Sequence, residues 1–101
     1  MTAYLIVRAE VAEADRAAFD HWYETEHLPD AKAAFACRAA WRGWGDVDPG
    51  VHLAFYEFPD RDSAHAVVAS AEMQAMKEEF DRAWGDRVPR SREIVEVKQA
   101  L

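Results

Sequence analysis

The sequence predicts an α+β domain: one antiparallel sheet of four strands with helices on one face, in the order β-α-β-β-α-β. Three observations predict it. Apolar runs rich in Val, Ile, Tyr and Phe stand at 3–9, 51–58 and 90–98. Stripes of apolar residues at helical spacing fill the stretches between them. Gly43, Gly45, Asp46, Asp48, Pro49 and Gly50 crowd into the segment before residue 51, which reads as the connection of a hairpin.

The first strand, residues 3–9, carries apolar side chains on consecutive positions, so both of its faces are expected to be covered. An acidic, Ala-rich helix follows over 13–27. Asp15 suits its first turn, and Ala18, Phe19, Trp22 and Tyr23 form one face. Pro29 is expected to stop or kink this helix, with 30–36 a short helical or irregular link. The second strand is placed at 36–44, with Cys37, Ala39 and Trp41 on one face, and the third at 51–58. A helical region then opens at 59–62, capped by Ser63 or Asp62, with Ala64, Val67 and Val68 inward; Ser70 breaks it. A further helix runs over 72–84, where Met73, Met76, Phe80 and Trp84 make a stripe that Gly85 ends. The last strand covers 90–98. This is the ferredoxin-like split βαβ arrangement, here a single domain over residues 1–101.

Composition sharpens the picture. Of 101 residues, 20 are Ala, and Leu, Ile, Val and Phe together also number 20. A core leaning on 12% aromatics is thin for a lone domain. One layer of helices leaves the other sheet face bare, yet strands one and three are apolar on both sides. A second copy of the chain, packed sheet to sheet in a homodimer, is the economical cover. The net charge of −7 is spread evenly along the chain, without a basic stripe, so nucleic acid is not an expected partner. No apolar run approaches the roughly 20 residues that span a bilayer, so no membrane association is expected either. Cys37 is the only cysteine, and Met1–Arg8 reads as a strand rather than a secretion signal; the expected location is cytoplasmic.

The string Trp22-Tyr23-x-x-x-His27-x-Pro29 carries a resemblance, and the late Phe80-x-x-x-Trp84-Gly85 segment agrees with it. The chain resembles the dimeric α/β-barrel proteins, chiefly the EthD-like proteins and their uncharacterised relatives. It is similar, more distantly, to antibiotic-biosynthesis monooxygenases and muconolactone isomerases. The resemblance implies a pocket between sheet and helices with Tyr23 and His27 at its edge. Relatives commonly have a Pro-Gly pair before the second strand. This chain has Ala34-Phe35-Ala36 there, so its pocket wall is expected to differ.

Tyr23 and His27 are four apart and share a helix stripe. Glu26, four after Trp22, falls on the apolar face, where desolvation would raise its pKa and let it orient His27. A His so held takes a proton from a bound phenol or an acidic C–H. Trp22, Trp41, Trp44 and Phe55 are flat apolar walls for a ring-shaped ligand, and His52 is a second acid or base if it faces the same cavity. Each has a plainer reading. His27 favours a helix C-terminus through the dipole, Glu26 reaches solvent or an Arg, and Trp22 is core. His21 and His65 read as solvated, and Cys37 as a small buried hydrophobe.

No local metal-ligand spacing, phosphate loop or nucleophile elbow occurs, so neither metal nor other cofactor is expected. Some dimeric α/β barrels bind haem, but nothing in this sequence argues for it. The expected function is action on a small aromatic, polyketide-like or lactone ligand, by cofactor-independent oxygenation or proton-transfer isomerisation. His27 is the base, Tyr23 donates a hydrogen bond, and Trp22, Trp41 and Phe55 shape the cavity. The alternatives are a non-catalytic ligand-binding or stress-associated domain and a structural dimer with a filled core.

Overall fold

The computed structural model describes all of residues 1–101. Strands β1 (Ala3–Glu10), β2 (Ala39–Trp44), β3 (Val51–Phe58) and β4 (Arg90–Glu96) form one antiparallel sheet in the order β2-β3-β1-β4. Helices α1 (Arg16–Trp22), α2 (Leu28–Phe35), α3 (Arg61–Val68) and α4 (Ala71–Ala83) cover one face. The expected ferredoxin-like α+β order is observed.

Strand parity decides which residues meet the helices. On β1 the buried set is Ala3, Leu5, Val7 and Ala9; on β3 it is His52, Ala54, Tyr56 and Phe58. Cross-strand pairs Leu5↔Tyr56, Leu5↔Ile94 and Ala9↔His52 lock that register. The small residues Ala3, Ala9 and Ala54 let the helices approach closely, and Phe19, Tyr23, Phe80 and Trp84 fill the space above them. The opposite face carries Tyr4, Ile6, Trp41 and Phe55, with Trp41 53% exposed and packed edge-on against Phe55. Nothing in the chain covers this face, so the expectation that β1 and β3 are buried on both sides is met on the helix side only.

The helices depart from expectation at one place. Pro29 does not end the first helix. Residues Tyr23–His27 form a single π-helical turn, and α2 then continues to Phe35 with Pro29 in its first turn. A wide turn interrupts the regular ladder, so a proline just beyond it forfeits little. His27 therefore sits in mid-helix, and the dipole reason for its placement falls away. Ala18 is exposed, whereas Phe19 and Tyr23 are core. Asp60, rather than Ser63 or Asp62, caps α3 through the Ser63 N–H at 2.7 Å. Ser70 separates the two later helices as expected, and its Oγ accepts from the Met73 N–H at 3.1 Å. Gly85 ends α4 in the left-handed region, with φ 56°.

Ala36 holds the other left-handed position, φ 49°, where α2 turns into the segment before β2. Cys37 is buried just after it, and the strand begins only at Ala39. An L-side chain in this region costs about 1–2 kcal/mol, while glycine loses more entropy on folding. Ala36→Gly is therefore expected to stabilise the fold by about 0.5–1 kcal/mol, read as a higher urea midpoint with unchanged slope.

Candidate active site

The π turn places the site. In an α-helix, side chains five apart diverge; the widened turn brings Trp22 and His27 over one another, stacked with centroids 4.4 Å apart and 18° between planes. The Tyr23 ring meets the edge of His27 at 4.9 Å, and Phe80 of α4 closes from the other side at 5.8 Å. The helical arm and α4 thus fix the imidazole from both sides.

His27 is 6% exposed and lines a cavity between helices and sheet. Tyr23 and Phe35 belong to the same helical arm; Met73, Met76 and Phe80 close it from α4. Val7 and Tyr56 form the floor, and Lys77, Arg90 and Arg92 complete the lining. The space for the centre of a water-sized sphere is about 20 Å³. That suffices for about one water molecule. A ring-shaped ligand needs more room than this, so lining side chains must move to admit one.

The His27 Nδ1 lies 3.3 Å from Glu79 Oε1 on α4. A carboxylate at that place favours the tautomer with the proton on Nδ1 and leaves Nε2 as a lone-pair acceptor. The bond is long, and burial prevails over it: desolvation pulls the His27 pKa down to about 4, against Asp30, which raises it, and with Arg90 and Arg92, which lower it further. The ring is neutral at pH 7. Glu79 itself is pushed up by burial and by Asp30. Tyr23 is buried at the cavity wall, and desolvation lifts its phenol to about 12, although a hydrogen bond from Tyr56 works the other way. It is a donor at neutral pH, not a base.

The expected site residues separate into three groups. His27 and Tyr23 come together as expected, with Trp22 stacked beside His27 rather than on the cavity wall. His52 faces the same side of the sheet and packs on Tyr23 at 4.5 Å, but it does not line the cavity. Arg42 Nη1 approaches its Nε2 at 3.3 Å, and Arg42 and the Trp44 indole both donate to Asp20 Oδ1 at 2.8 Å. Its Nδ1 is buried without a partner. Burial first, then Arg42, lowers the His52 pKa to about 4.

Trp41, Phe55 and Glu26 do not join the site. Trp41 and Phe55 are three residues from Trp44 and His52, an odd separation, so they lie on the opposite face of the sheet and cannot shape a cavity that opens toward the helices. Glu26 is exposed, because the π turn rotates it away from the apolar stripe that α-helical spacing assigns to it. Its expected role of orienting His27 falls to Glu79 instead. Glu79 lies three after Met76 and beside Phe80, on the flank of an evident stripe, but its meeting with His27 spans 52 residues of sequence. Arg90 and Arg92 alternate with Ile94 and share its face, a period-two signal that marks them as inward-pointing. No group of three or more His, Cys, Asp and Glu side chains is arranged to hold a metal ion. No helix is long and apolar enough to cross a membrane.

No protein-family model matches the chain, and no curated protein matches it in sequence. Solved structures do match in fold. An EthD (ethyl tert-butyl ether D) family protein from Bacillus halodurans superimposes with a TM-score of 0.75 at 20% identity, covering 96% of this chain and 99% of its own. SnoaB from Streptomyces nogalater, described as a cofactor-independent oxygenase, gives 0.67 at 16%, with 99% and 96% coverage. A protein described as an antibiotic biosynthesis monooxygenase gives 0.66 at 14%, with 96% and 99%. At these identities the likeness is one of fold: this chain has the ferredoxin-like architecture of the EthD and monooxygenase proteins along essentially its whole length.

Proposed function

We propose that this protein acts on a small aromatic, polyketide-like or lactone molecule by removing a proton from a phenol or an acidic C–H. In one outcome the resulting carbanion reduces dioxygen without a cofactor. In the other, the proton returns at a different carbon and the molecule isomerises. The observation that carries this reading is the neutral His27, buried at the wall of a largely apolar cavity and tied through Nδ1 to Glu79, which leaves Nε2 free to accept. The fold shared with SnoaB supports the oxygenating branch.

Anthrone is a suitable probe, because its methylene is acidic and its rings are flat. His27 takes one methylene proton; the carbanion adds dioxygen; the protonated His27 returns a proton to the peroxide, which loses water to leave the ketone. One dioxygen is consumed per anthraquinone formed, with one water released. Oxygen uptake in that ratio, dependent on protein, is the expected result. If anthrone, simple phenols and lactones raise the melting temperature but none turns over, the protein is a non-catalytic ligand-binding domain. The roughly 20 Å³ of free space at His27 holds about one water and favours neither of these over the other; it favours the third reading, a structural dimer with a filled core, which binding of none of these compounds would support.

The reading includes a homodimer, with the uncovered sheet face packed against its copy. Tyr4, Ile6, Trp41 and Phe55 make an apolar strip, and Arg8 and Glu93 supply both signs of charge on the same face, so the surface is suited to complement its own copy across a two-fold axis. The expected mass by light scattering is twice that of the 11.5 kDa chain. Trp41→Glu is expected to weaken the dimer by roughly 30-fold or more, since it buries a charge where an aromatic anchor stood. A wild-type mass of one chain at micromolar concentration would remove the dimer.

A further inference from the structure

We propose that the His27 cavity is a binding site for an organic anion, a carboxylate or enolate oxygen on an aromatic ligand, received by Arg92 and Lys77 with Arg90 behind them. This deepens the preceding reading by naming the charge of the ligand, and it rests on that reading only for what happens after binding.

The chain carries a net charge of −7, yet the cavity lining holds three cationic side chains and no carboxylate. Arg90 and Arg92 point toward the helices because they alternate with Ile94, and their partners on β1 are Ala9 and Val7, which offer no counter-charge. Arg90 is partly satisfied. Its Nη1 meets Asp81 at 3.0 Å, and its guanidinium lies over the Phe80 ring at 4.1 Å. Its Nε, however, is buried with no partner. The Arg92 guanidinium has no carboxylate within ion-pair reach, although it is half-buried. The charges that act on it are Arg90, the phenols of Tyr23 and Tyr56, and Asp81, which is already paired with Arg90. Placing an unpaired cation there is costly unless an anion completes it.

The same charges act on the base. Arg90 and Arg92 both hold the His27 pKa down, after burial. An anion seated on them cancels that influence, so proton affinity rises at Nε2 when the ligand arrives. The charge developing on an enolate oxygen meets donors already in place. The plainer account is that Arg92, on an edge strand, simply extends its head into water.

Benzoate and benzamide are nearly equal in shape and differ in charge, so the pair separates these accounts. Binding is measured by calorimetry at constant ionic strength, with circular dichroism checking the fold of each variant. Benzoate is expected to bind at least tenfold tighter than benzamide. Arg92→Met should cut that preference to under twofold, and Lys77→Met should reduce it in part. Arg61→Met, on an exposed helix position away from the cavity, should leave it intact. Equal binding, binding of neither, or a preference that survives Arg92→Met combined with Lys77→Met overturns the proposal. His27→Gln distinguishes it from the catalytic reading. In the wild-type protein, equal binding of benzoate and benzamide together with anthrone turnover that His27→Gln abolishes sinks the anion site alone. In a protein that does not turn over anthrone, a benzoate preference that persists in His27→Gln leaves the anion site standing without the base.

Discussion

His27→Gln is expected to lower kcat/KM for anthrone oxidation by about 10²–10⁴-fold, the usual contribution of a positioned general base. Gln preserves much of the stacking on Trp22 at 4.4 Å, so the melting temperature should change little. Glu79→Gln separates positioning from proton transfer. Its hydrogen bond to Nδ1 is long, 3.3 Å, so the loss is smaller, roughly tenfold, equivalent to about 1.4 kcal/mol. That loss should fall on kcat with KM unchanged. Nitrogen chemical shifts of His27 should show the proton moving from Nδ1 toward Nε2, which a merely structural role for Glu79 would not produce. Full activity of His27→Gln would exclude His27 as the base.

Acid is expected to unfold this protein through its two buried histidines. His27 and His52 are 6% and 0% exposed, and burial lowers both pKa values to about 4 from an unfolded value of 6.5. Between pH 6.5 and about 4 the unfolded chain binds more protons than the folded one. Stability therefore rises with pH across that window and is lost as pH falls through it. Each histidine contributes a slope of about 1.4 kcal/mol per pH unit, so the pair approaches about 3 kcal/mol per unit. A domain of this size holds only about 5–15 kcal/mol in total. Urea midpoints measured from pH 7 down to 4 should fall steeply. His52→Phe should roughly halve the slope, and it also removes the unpartnered buried Nδ1. Asp20 acts later. Its carboxyl is held below the ordinary range by hydrogen bonds from Arg42 and then Trp44, so its stabilisation is present above that range and disappears only at still lower pH. A flat midpoint between pH 6.5 and 4 would contradict the neutral burial of both rings.

Much of the fold was legible in sequence because local rules generate it. Alternation at 51–58 places His52, Ala54, Tyr56 and Phe58 inside, and Ser70 and Gly85 punctuate the helices through side-chain capping and positive φ. Parity alone also contained a conclusion that residue type obscured. Trp41 and Phe55 attract attention as aromatic walls, but their odd spacing from Trp44 and His52 assigns them to the other face. The same rule, read from Ile94, puts Arg90 and Arg92 inside. Glu26 misleads for a different reason. Its placement on the apolar stripe assumes an uninterrupted α-helix, and nothing local in Trp22–Pro29 requires the wide turn that rotates it outward.

The chain by itself determined an antiparallel α+β sheet, a shared stripe for Tyr23 and His27, and an apolar second sheet face that its own helices leave uncovered. These follow from periodicity, and periodicity is a property of neighbours in sequence. Only the tertiary structure decided that Glu79 meets His27, that Arg90 pairs with Asp81 while Arg92 beside it has no ion-pair partner, and that His52 belongs to a separate cluster with Arg42 and Asp20. Those are contacts across as many as 52 residues, set by how α4 and β4 seat against the first helix. Desolvation, which keeps both histidines neutral, depends on that packing and has no signature in the order of the residues.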